Sequence, residues 1–496
     1  MFIETLLLLG ASWIIASIFD KFSQSKAGLP RVGASPGPFS LYMWWARWKW
    51  YKHGHDDVIK NYEQSKNTNY VTQALTGDII VLAPKFLGEL NMLPETKLSS
   101  TAALVDSVMG KYTGVDLLLR DHLTSDICRG PLTRNLPIFL PHMAEELRAA
   151  MMEKLDQQTP EITCVAYDLL LSFIHRITSM VFIGKTSCHN PIWTNAVTDL
   201  PFDVEITKII LLPFPEFLRR FIAPLIPQRN KIFRNRVAVR DILFPSSEPL
   251  EAKEEPSVMK LFIESGKDKD RDSITARLLL LTAAALHTSS MAITHAIFDL
   301  CVMPEYIEPL RSEAQTALAE ENGEWKFSTI KRLRRLDSFL KESQRVNQST
   351  FLGFDRKVMS PIELSDGKTV LPQGASIVIP AGLMARDPTF YTNAQQFDGF
   401  RFYRENEDEN VSSRISMQQD YTGIETGNLS WGNGRFTCPG RWYGAAMIKL
   451  IVANLLLEYD ISFPAGQTER PPNSKYNTEV HPSFEQKIVL KRRQHV

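Results

Sequence analysis

The residue whose type and surroundings most directly suggest chemistry is Cys438. It lies in the sequence WGNGRFTCPGR at residues 431–441, after two glycines and before a Pro-Gly pair. Residues 442–459 follow with the apolar spacing of a helix, so Cys438 is expected just before a helix N-terminus. Free N–H groups and the positive end of the helix dipole favour a thiolate there, which suits a soft metal ligand or a nucleophile. Gly432 and Gly434 would let the backbone approach a large, flat group. A lone cysteine is also commonly a small buried hydrophobic residue, and the loop alone leaves that alternative open.

The remaining cysteines are scattered along the chain and form no CxxC pair; they are Cys128, Cys164, Cys188 and Cys301. Neither a disulfide framework nor a zinc ribbon is therefore indicated. Any cysteine chemistry rests on one residue acting singly.

The elements that must position this loop are mostly helices. Amphipathic or apolar runs predict helices at 142–158, 165–183, 272–303 and 304–321. Strand-like segments are few and short; they are Tyr70–Ala74, Asp78–Leu82, Val370–Leu371, Ser376–Ile379 and Gln486–Leu490. The pattern predicts a mainly α fold with small β-sheets.

The charge balance excludes one large class of function. The 496 residues carry 56 basic and 56 acidic side chains, a formal net charge of zero, so the basic excess of a nucleic-acid-binding protein is absent. Apolar residues make up 44% of the chain and charged residues 23%, which is ordinary globular usage and argues against disordered, collagenous or coiled-coil proteins.

The N-terminus has the composition of a membrane anchor. Residues 2–19 contain a single charge, Glu4, and about 18 helical residues at roughly 1.5 Å each just span a ~30 Å hydrocarbon core. Residues 21–52 carry basic side chains and no acid, which predicts that the bulk of the chain is cytosolic. A cleaved signal peptide is the alternative, but the basic residues follow the apolar stretch rather than precede it. We therefore expect an anchor at 1–20, a basic, proline-rich hinge at 21–40 and one catalytic domain at 41–496.

Two further segments suggest lipid contact. Four tryptophans at 44–50 alternate with basic residues, a composition that suits the lipid interface after an anchor better than stacking on single-stranded nucleic acid. The stretch from Pro213 to Pro227 is irregular and apolar, so it is expected either to enter a bilayer or to pack in the core.

The cysteine loop resembles the haem-thiolate signature of the cytochrome P450 monooxygenases, Phe-x-x-Gly-x-Arg/His-x-Cys-x-Gly. Gly434, Cys438 and Gly440 match it residue for residue. Trp431 stands where the family usually has Phe, and this aromatic ring could still shield the thiolate. The resemblance implies that Cys438 is the axial ligand of the iron of haem b.

One position of the signature departs from the family. Phe436 occupies the place of the Arg or His that usually meets a haem propionate. If the resemblance holds, the propionates need other partners, and Arg129 and Arg356 are the candidates.

A second match joins two distant segments. Glu342 and Arg345, in ESQR, resemble the family's Glu-x-x-Arg, and their i, i+3 spacing puts both side chains on one helix face. Arg401, in FDGFRF, resembles the arginine of the family's Phe-x-Pro-x-Arg-Phe, with Gly399 in place of Pro. The resemblance implies a buried charge triad of Glu342, Arg345 and Arg401, which shared hydrogen bonds make tolerable.

A third match lies in the long apolar helix. Residues 284–289, AALHTS, resemble the family's Ala/Gly-Gly-x-Asp/Glu-Thr-Thr/Ser, with Ala285 for Gly and His287 for the acid. Thr288 then takes the role of the hydroxyl that manages protons at bound dioxygen. His287 is expected either to relay protons or to make only a structural hydrogen bond.

The resemblance covers nearly the whole chain and is typical of fungal enzymes of biosynthetic gene clusters. It implies the cytochrome P450 fold and a monooxygenase that oxidises a hydrophobic terpenoid, alkaloid or polyketide intermediate at the endoplasmic reticulum membrane, with the catalytic domain on the cytosolic face. Electrons would come from an NADPH–cytochrome P450 reductase, with cytochrome b5 as a further donor, docked near Arg435, Arg441 and Lys449. The alternatives are a haem-thiolate enzyme that desaturates, couples or rearranges without inserting oxygen, and a non-catalytic membrane-tethered interaction protein.

Overall fold

A computed structural model of the chain describes residues 28–33, 40–155, 158–245, 254–403 and 420–493. The predicted anchor at 1–20 and most of the predicted hinge lie outside these residues. The described part of the hinge is fixed along β1 (Tyr70–Ala74): the Val71 N–H donates to the Pro30 carbonyl at 2.8 Å, and the Val32 N–H donates to the Val71 carbonyl at 2.9 Å.

The described part of the chain is mainly helical, as the sequence predicts. Its α-helices are, in chain order, α1 Ser40–Gln64, α2 Leu87–Met92, α3 Ser100–Ser107, α4 Gly110–Thr113, α5 Leu123–Ile127, α6 Leu136–Lys154, α7 Ala166–Ile183, α8 Pro191–Leu211, α9 Glu216–Ile222, α10 Pro227–Leu243, α11 Val258–Glu264, α12 Arg271–Val302, α13 Ile307–Ala319, α14 Phe327–Arg332, α15 Arg334–Val346, α16 Ala381–Met384 and α17 Arg441–Glu458.

The strands form small sheets. They are β1, β2 Gly77–Val81, β3 Leu98–Ser99, β4 Glu161–Val165, β5 Gly353–Val358, β6 Ile362–Glu363, β7 Val370–Leu371, β8 Ser376–Ile379, β9 Tyr459–Ser462, β10 Ser474–Tyr476, β11 Glu479–His481 and β12 Lys487–Arg492. The largest sheet has the order β1-β2-β8-β5-β3, and a second has the order β4-β12-β9; β6-β7 and β10-β11 are pairs. The five strands predicted from sequence are confirmed to within about two residues.

The core surrounds α12, which packs against α7, α8, α10, α15 and α17. Its first turn is capped by the Asp270 carboxylate, which accepts from the Asp272 N–H at 3.1 Å. Burying each large apolar side chain contributes roughly 1.5–3 kcal/mol, so this central helix is held by its packing rather than by helix propensity.

Among the described residues, α7 and α12 are long and apolar enough to cross a membrane. Over half of the most apolar stretch of each is buried in the protein, 72% for α7 and 56% for α12. Because both pack inside the fold, their length and composition are those of core helices.

One predicted irregular segment contains a helix. Within 213–227, α9 follows Pro215 and carries Glu216 in its first turn and Arg219 in its last, which complements the helix dipole. The Arg219 Nε also donates to the Phe214 carbonyl at 2.7 Å. The prediction of an irregular chain here is therefore wrong, because these local charges offset the breaking effect of the flanking prolines.

Candidate active site

The Cys438 loop is closed by its own backbone. The Cys438 N–H donates to the Trp431 carbonyl at 2.7 Å, and the Trp431 indole N–H donates to the Tyr421 carbonyl at 2.7 Å. The Arg441 guanidinium donates to the Cys438 carbonyl at 3.1 Å, at the residue where α17 begins. Cys438 is therefore held rigidly at a helix N-terminus, partly accessible, as the sequence predicts.

Two glycines of the loop have backbone conformations that favour glycine. Gly434 has φ +65°, and a Cβ there would meet the Asn91 Oδ1 at 2.6 Å. Gly432 has φ +76° and faces the Phe436 carbonyl. At Gly440, in contrast, a Cβ would meet nothing within 4 Å. Positive φ values favour glycine at both positions, and close approach of the backbone to a flat group stays a prediction.

The protonation state of Cys438 depends on what it binds. Burial raises the pKa of the Cys438 thiol above its ordinary value, although the N–H groups of Gly440 and Arg441 and the Arg441 charge oppose this. The helix N-terminus alone does not therefore produce the expected thiolate. A coordinated metal ion deprotonates a thiol outright. A metal bound at Cys438 would therefore produce the thiolate that the helix N-terminus alone does not.

Such a metal must bring further ligands of its own. The described ranges contain no group of three or more His, Cys, Asp or Glu side chains that could hold a metal ion. A single thiolate suits an iron already bound in a porphyrin, which supplies the remaining equatorial ligands.

Ala284 and Thr288 form an accessible patch in the middle of the core helix α12. They are exposed although Ala283, Leu286 and Ser289 beside them are buried. The i, i+4 spacing places Ala284 and Thr288 on one face, and the Thr288 hydroxyl donates to the Ala284 carbonyl at 2.7 Å. This face of α12 is therefore accessible although the helix belongs to the core.

His287 points to a different neighbourhood from Thr288. Its Nδ1 lies 3.0 Å from the Tyr167 hydroxyl, and its ring contacts the Phe202 ring edge-on at 5.8 Å. Its Nε2 is buried and finds no hydrogen-bond partner in the described part of the chain. Burial lowers the pKa of His287, which favours the neutral imidazole at neutral pH. The structural hydrogen bond is present, and the proton relay stays a prediction.

Arg356 is a buried cation without a carboxylate partner. It is 5% exposed, and its guanidinium lies over the Phe354 ring at 3.9 Å and the Phe436 ring at 4.7 Å. Burial lowers its pKa to about 10, and no ion pair reaches it from any described residue. A buried guanidinium of this kind requires an anion, which fits a haem propionate. Phe436 contacts the Arg356 guanidinium through the face of its ring and contributes no charge of its own.

Arg129 lies on the other side of the same loop. It belongs to the π-helical turn Cys128–Leu132, a local widening common at functional sites. Its side chain is exposed and donates to the Arg435 carbonyl at 2.8 Å. Both predicted propionate partners therefore reach the Cys438 loop.

The structure brings the three residues of the predicted triad together. The Glu342 carboxylate, with no exposed surface, accepts from the Arg345 Nε and Nη2, both at 2.7 Å, and from the Arg401 Nε at 3.0 Å. The Asp398 N–H adds a fourth bond at 2.9 Å. The remaining Arg345 donors reach the carbonyls of Ala385, Ala394 and Gln396. Every charge in this buried cluster is thus hydrogen-bonded.

The predicted docking role of Lys449 is wrong. Lys449 is 3% exposed on α17 and forms an ion pair with Asp337 at 2.8 Å. Because α17 is buried on all sides, its lysine points into the core. Arg435 is exposed and Arg441 is partly exposed, so those two remain available at the surface.

A separate hollow lies away from Cys438. It lies between α8, α10 and the first half of α12. Leu200, Asp203, Arg236 and Leu279 are among its lining residues. None of its lining residues belongs to the Cys438 loop, so it is a neighbouring space rather than the site itself.

Sequence reasoning missed two residues of the site. Tyr167, the partner of His287, lies 120 positions earlier, and no local signal connects the two. Asp355, beside Arg356, is accessible although its neighbours Phe354 and Arg356 are buried. Its orientation depends on a register shift between β5 and β8, which no sequence pattern predicts.

Comparison with known proteins agrees with this geometry. Residues 120–485 match the family model described as Cytochrome P450. The chain is 31% identical over 474 residues to Cytochrome P450 monooxygenase AN1598 of Emericella nidulans, covering 92% of this chain and 88% of that protein. It is 31% identical over 496 residues to an Ent-kaurene oxidase of Gibberella intermedia, covering 97% and 91%.

A solved structure shares the fold. The chain named "Retinoic acid bound cyanobacterial CYP120A1" superposes with a TM-score of 0.67 at 17% identity, covering 94% of this chain and 99% of that one. At this identity the likeness concerns the fold alone.

Proposed function

This chain belongs to the cytochrome P450 family and is a monooxygenase with haem b as cofactor, and we propose that it oxidises a hydrophobic terpenoid intermediate of fungal secondary metabolism. The observation that carries the proposal is the Cys438 loop at the N-terminus of α17, a helix that packs against α12, on which Ala284 and Thr288 are accessible.

The Cys438 loop and the two arginines that contact it suit a bound haem. Cys438 would ligate the iron, and Arg356 and Arg129 would pair with the propionates. When bound, haem supplies the iron at which dioxygen is reduced and the substrate oxidised. The chain's own groups orient the cofactor and handle protons.

Thr288 is the group we assign to proton handling. Its Oγ1 proton is held by the Ala284 carbonyl at 2.7 Å, and its oxygen keeps lone pairs that can accept a hydrogen bond from a water beside it. The small side chain of Ala284 leaves space beside Thr288, so a ligand can approach the hydroxyl. His287, whose Nδ1 lies 3.0 Å from the Tyr167 hydroxyl, is the second group we propose for proton relay.

Two observations support the proposed substrate class: the name of a relative and the accessible face of α12. The Gibberella intermedia relative is named for ent-kaurene, a polycyclic diterpene hydrocarbon. The accessible face of α12 presents Ala284 and Thr288, and a face without charge suits such a skeleton.

We place the protein at the endoplasmic reticulum membrane, with the catalytic domain on the cytosolic face. Large apolar side chains are exposed on α9 and just beyond it: Phe217 at 51%, Phe221 at 61% and Leu225 at 78%. Exposed apolar groups of this size in neighbouring segments are typical of lipid contact.

Hydrogen exchange tests this membrane face. With phosphatidylcholine vesicles, the amides of 216–225 should become protected in the full chain, and Phe221→Asp should remove the protection. The α6 segment around Met152, which is 62% exposed, is the internal control and should not change. Equal exchange at 216–225 with and without vesicles would disprove the lipid contact.

We assign electron supply to an NADPH–cytochrome P450 reductase, with cytochrome b5 as a further donor. Arg435 is exposed and Arg441 is partly exposed on the side of the Cys438 loop, and both would meet an acidic partner surface.

Product analysis tests the function. The full chain, expressed with a fungal reductase and supplied with ent-kaurene and ¹⁸O-labelled dioxygen, should form a product one oxygen heavier that carries the label. A product that has lost two hydrogens, or a dimer, would point to oxidation without oxygen insertion. A chain with haem that leaves this and related diterpenes unchanged would refute the terpenoid assignment.

A further inference from the structure

Gln348 is a buried amide just beyond the C-terminal end of α15. It is 6% exposed, and its Nε2 donates to the Gln344 carbonyl in the last turn of that helix at 3.1 Å. The residue before it, Asn347, donates from its side chain to the Asp299 carboxylate on α12 at 2.9 Å. The chain at Gln348 is therefore tied to two core helices, so its amide group has a fixed position.

The same amide reaches the segment that leads into the Cys438 loop. The Gln348 Nε2 donates to the Asn428 Oδ1 at 2.9 Å and to the Ser430 Oγ at 2.6 Å, on residues 80 and 82 positions later. The Asn428 Oδ1 also accepts from the Ser430 N–H at 3.1 Å and from the Ser430 hydroxyl at 2.6 Å. Gln348 therefore holds a hydrogen-bonded turn and not a single side chain.

This turn continues directly to the backbone of Cys438. The next residue, Trp431, accepts from the Cys438 N–H at its carbonyl at 2.7 Å. The Cys438 sulfur, in turn, accepts hydrogen bonds from the backbone N–H groups of Gly440 and Arg441, where α17 begins. The main chain of Cys438 is thus held from the side of Gln348, and its sulfur is held from α17.

The relative position of these two supports determines the hydrogen bonds at the sulfur. A hydrogen bond to a thiolate disperses its negative charge, and such bonds help to set the reduction potential of an iron bound to sulfur. If the turn at 428–430 moved, Cys438 would follow it through the Trp431 carbonyl, and its sulfur would move away from the N–H groups of α17. A side chain that fixes this turn would therefore act on the iron without contacting it.

We propose that Gln348 is a positioning residue for the axial ligand. By fixing the turn at Asn428 and Ser430, it keeps the Cys438 sulfur within reach of the N–H groups that begin α17, and so raises the reduction potential of the haem iron. This rests on the proposed ligation of the iron by Cys438 and is independent of the substrate.

The reduction potential of the substrate-free holoenzyme tests this role, because a change that only weakens the fold leaves the potential of the folded protein unchanged. Gln348→Met keeps the length of the side chain and removes its hydrogen bonds. We expect the equilibrium constant for one-electron reduction to fall by about tenfold, the lower end of the effects that outer-shell partners have on metal sites. Hydrogen exchange at the Cys438 amide should become about tenfold faster, the effect of losing one buried hydrogen bond.

Two further variants define the comparison. Gln344→Met is the matched control, because it makes the same change four positions earlier, where the buried Gln344 Oε1 makes no hydrogen bond in the described part of the chain. It should leave the potential and the exchange unchanged. Ser430→Ala removes one acceptor of the Gln348 amide and should lower the potential by less. In the double variant with Gln348→Met the two shifts should not add, because both changes break the same contact.

An unchanged potential in Gln348→Met, an equal shift in Gln344→Met, or shifts that add in the double variant would overturn the proposal. If Gln348→Met does not fold with haem, Ser430→Ala decides alone, and an unchanged potential there overturns the proposal. The carbon monoxide spectrum, recorded on the same samples, separates these results from failure of the proposed ligation, because a wild type without the thiolate-haem band would fail that test first.

Discussion

Glu342→Gln should destabilise the protein more than any surface change. The substitution keeps the shape of the side chain but removes the negative charge that four hydrogen bonds share, at 2.7, 2.7, 3.0 and 2.9 Å. Arg345, which has no exposed surface, and Arg401 would then be cations without a counter-charge. Removing one partner of a buried ion pair costs about 3–5 kcal/mol.

This loss is large against the whole stability of a protein. With a typical free energy of unfolding of about 5–15 kcal/mol, it would raise the unfolding equilibrium constant between about a hundredfold and a few thousandfold. If the pair were solvated, as an i, i+3 pair on an exposed helix often is, the loss would be only about 0.3–0.5 kcal/mol.

Urea unfolding of the holoprotein, followed by circular dichroism, measures the difference. The midpoint should fall markedly for Glu342→Gln, with an unchanged slope, because the surface exposed on unfolding is the same. Glu363→Gln is the matched control and should stay within about 0.5 kcal/mol of wild type. A Glu342→Gln midpoint that matches the control would refute the reasoning that this triad holds the core together.

Three further predictions concern the site and its partner face. Thr288→Val should lower the product formed per NADPH oxidised by roughly tenfold or more, whereas Thr288→Ser keeps the hydroxyl and most of the yield; a Thr288→Val enzyme with the yield of wild type would exclude this proton role. Arg356→Gln should weaken haem retention about tenfold, measured as transfer to apomyoglobin, because a buried propionate partner is lost, and unchanged transfer would argue against that pairing. Arg435→Glu should raise the KM for reductase. Lys449→Met should leave that KM unchanged but lower the urea midpoint, because it leaves the Asp337 carboxylate unpaired. A Lys449→Met variant with a raised KM and an unchanged midpoint would contradict the buried position of Lys449.

The parts predicted well are those with a local signal. The helices around α12 and α17 carry long apolar patterns, and the Cys438 loop is defined by residues within one turn of each other. Glu342 and Arg401 are 59 positions apart in the sequence, and only the family resemblance predicts that they are in contact. Spacing alone could have supported no more than the pair on α15.

Strands that depend on distant partners could not be predicted. β4 is short and largely exposed, and it exists because Glu161–Val165 pairs with β12, more than three hundred residues later. β5 contains a glycine, two basic residues and an aspartate, and its bulge at Phe354 follows from pairing with β8. These segments lack the alternation of apolar and polar residues that would predict a strand.

Lys449 shows a signal that was present but not used. The residues of α17 are apolar on every face, and a helix of that kind is buried. A lysine in it is therefore expected to find an internal carboxylate, as Lys449 does in Asp337, and not a docking partner.

The central claim is that Cys438 binds the iron of haem b. The most direct measurement is the absorption spectrum of the purified full chain, reduced and exposed to carbon monoxide. Wild type and Cys164→Ala, a matched change of another free cysteine, should give the thiolate-haem band, and Cys438→Ala should not. A folded wild type without bound haem, or a thiolate-haem band that persists in Cys438→Ala, would contradict the account.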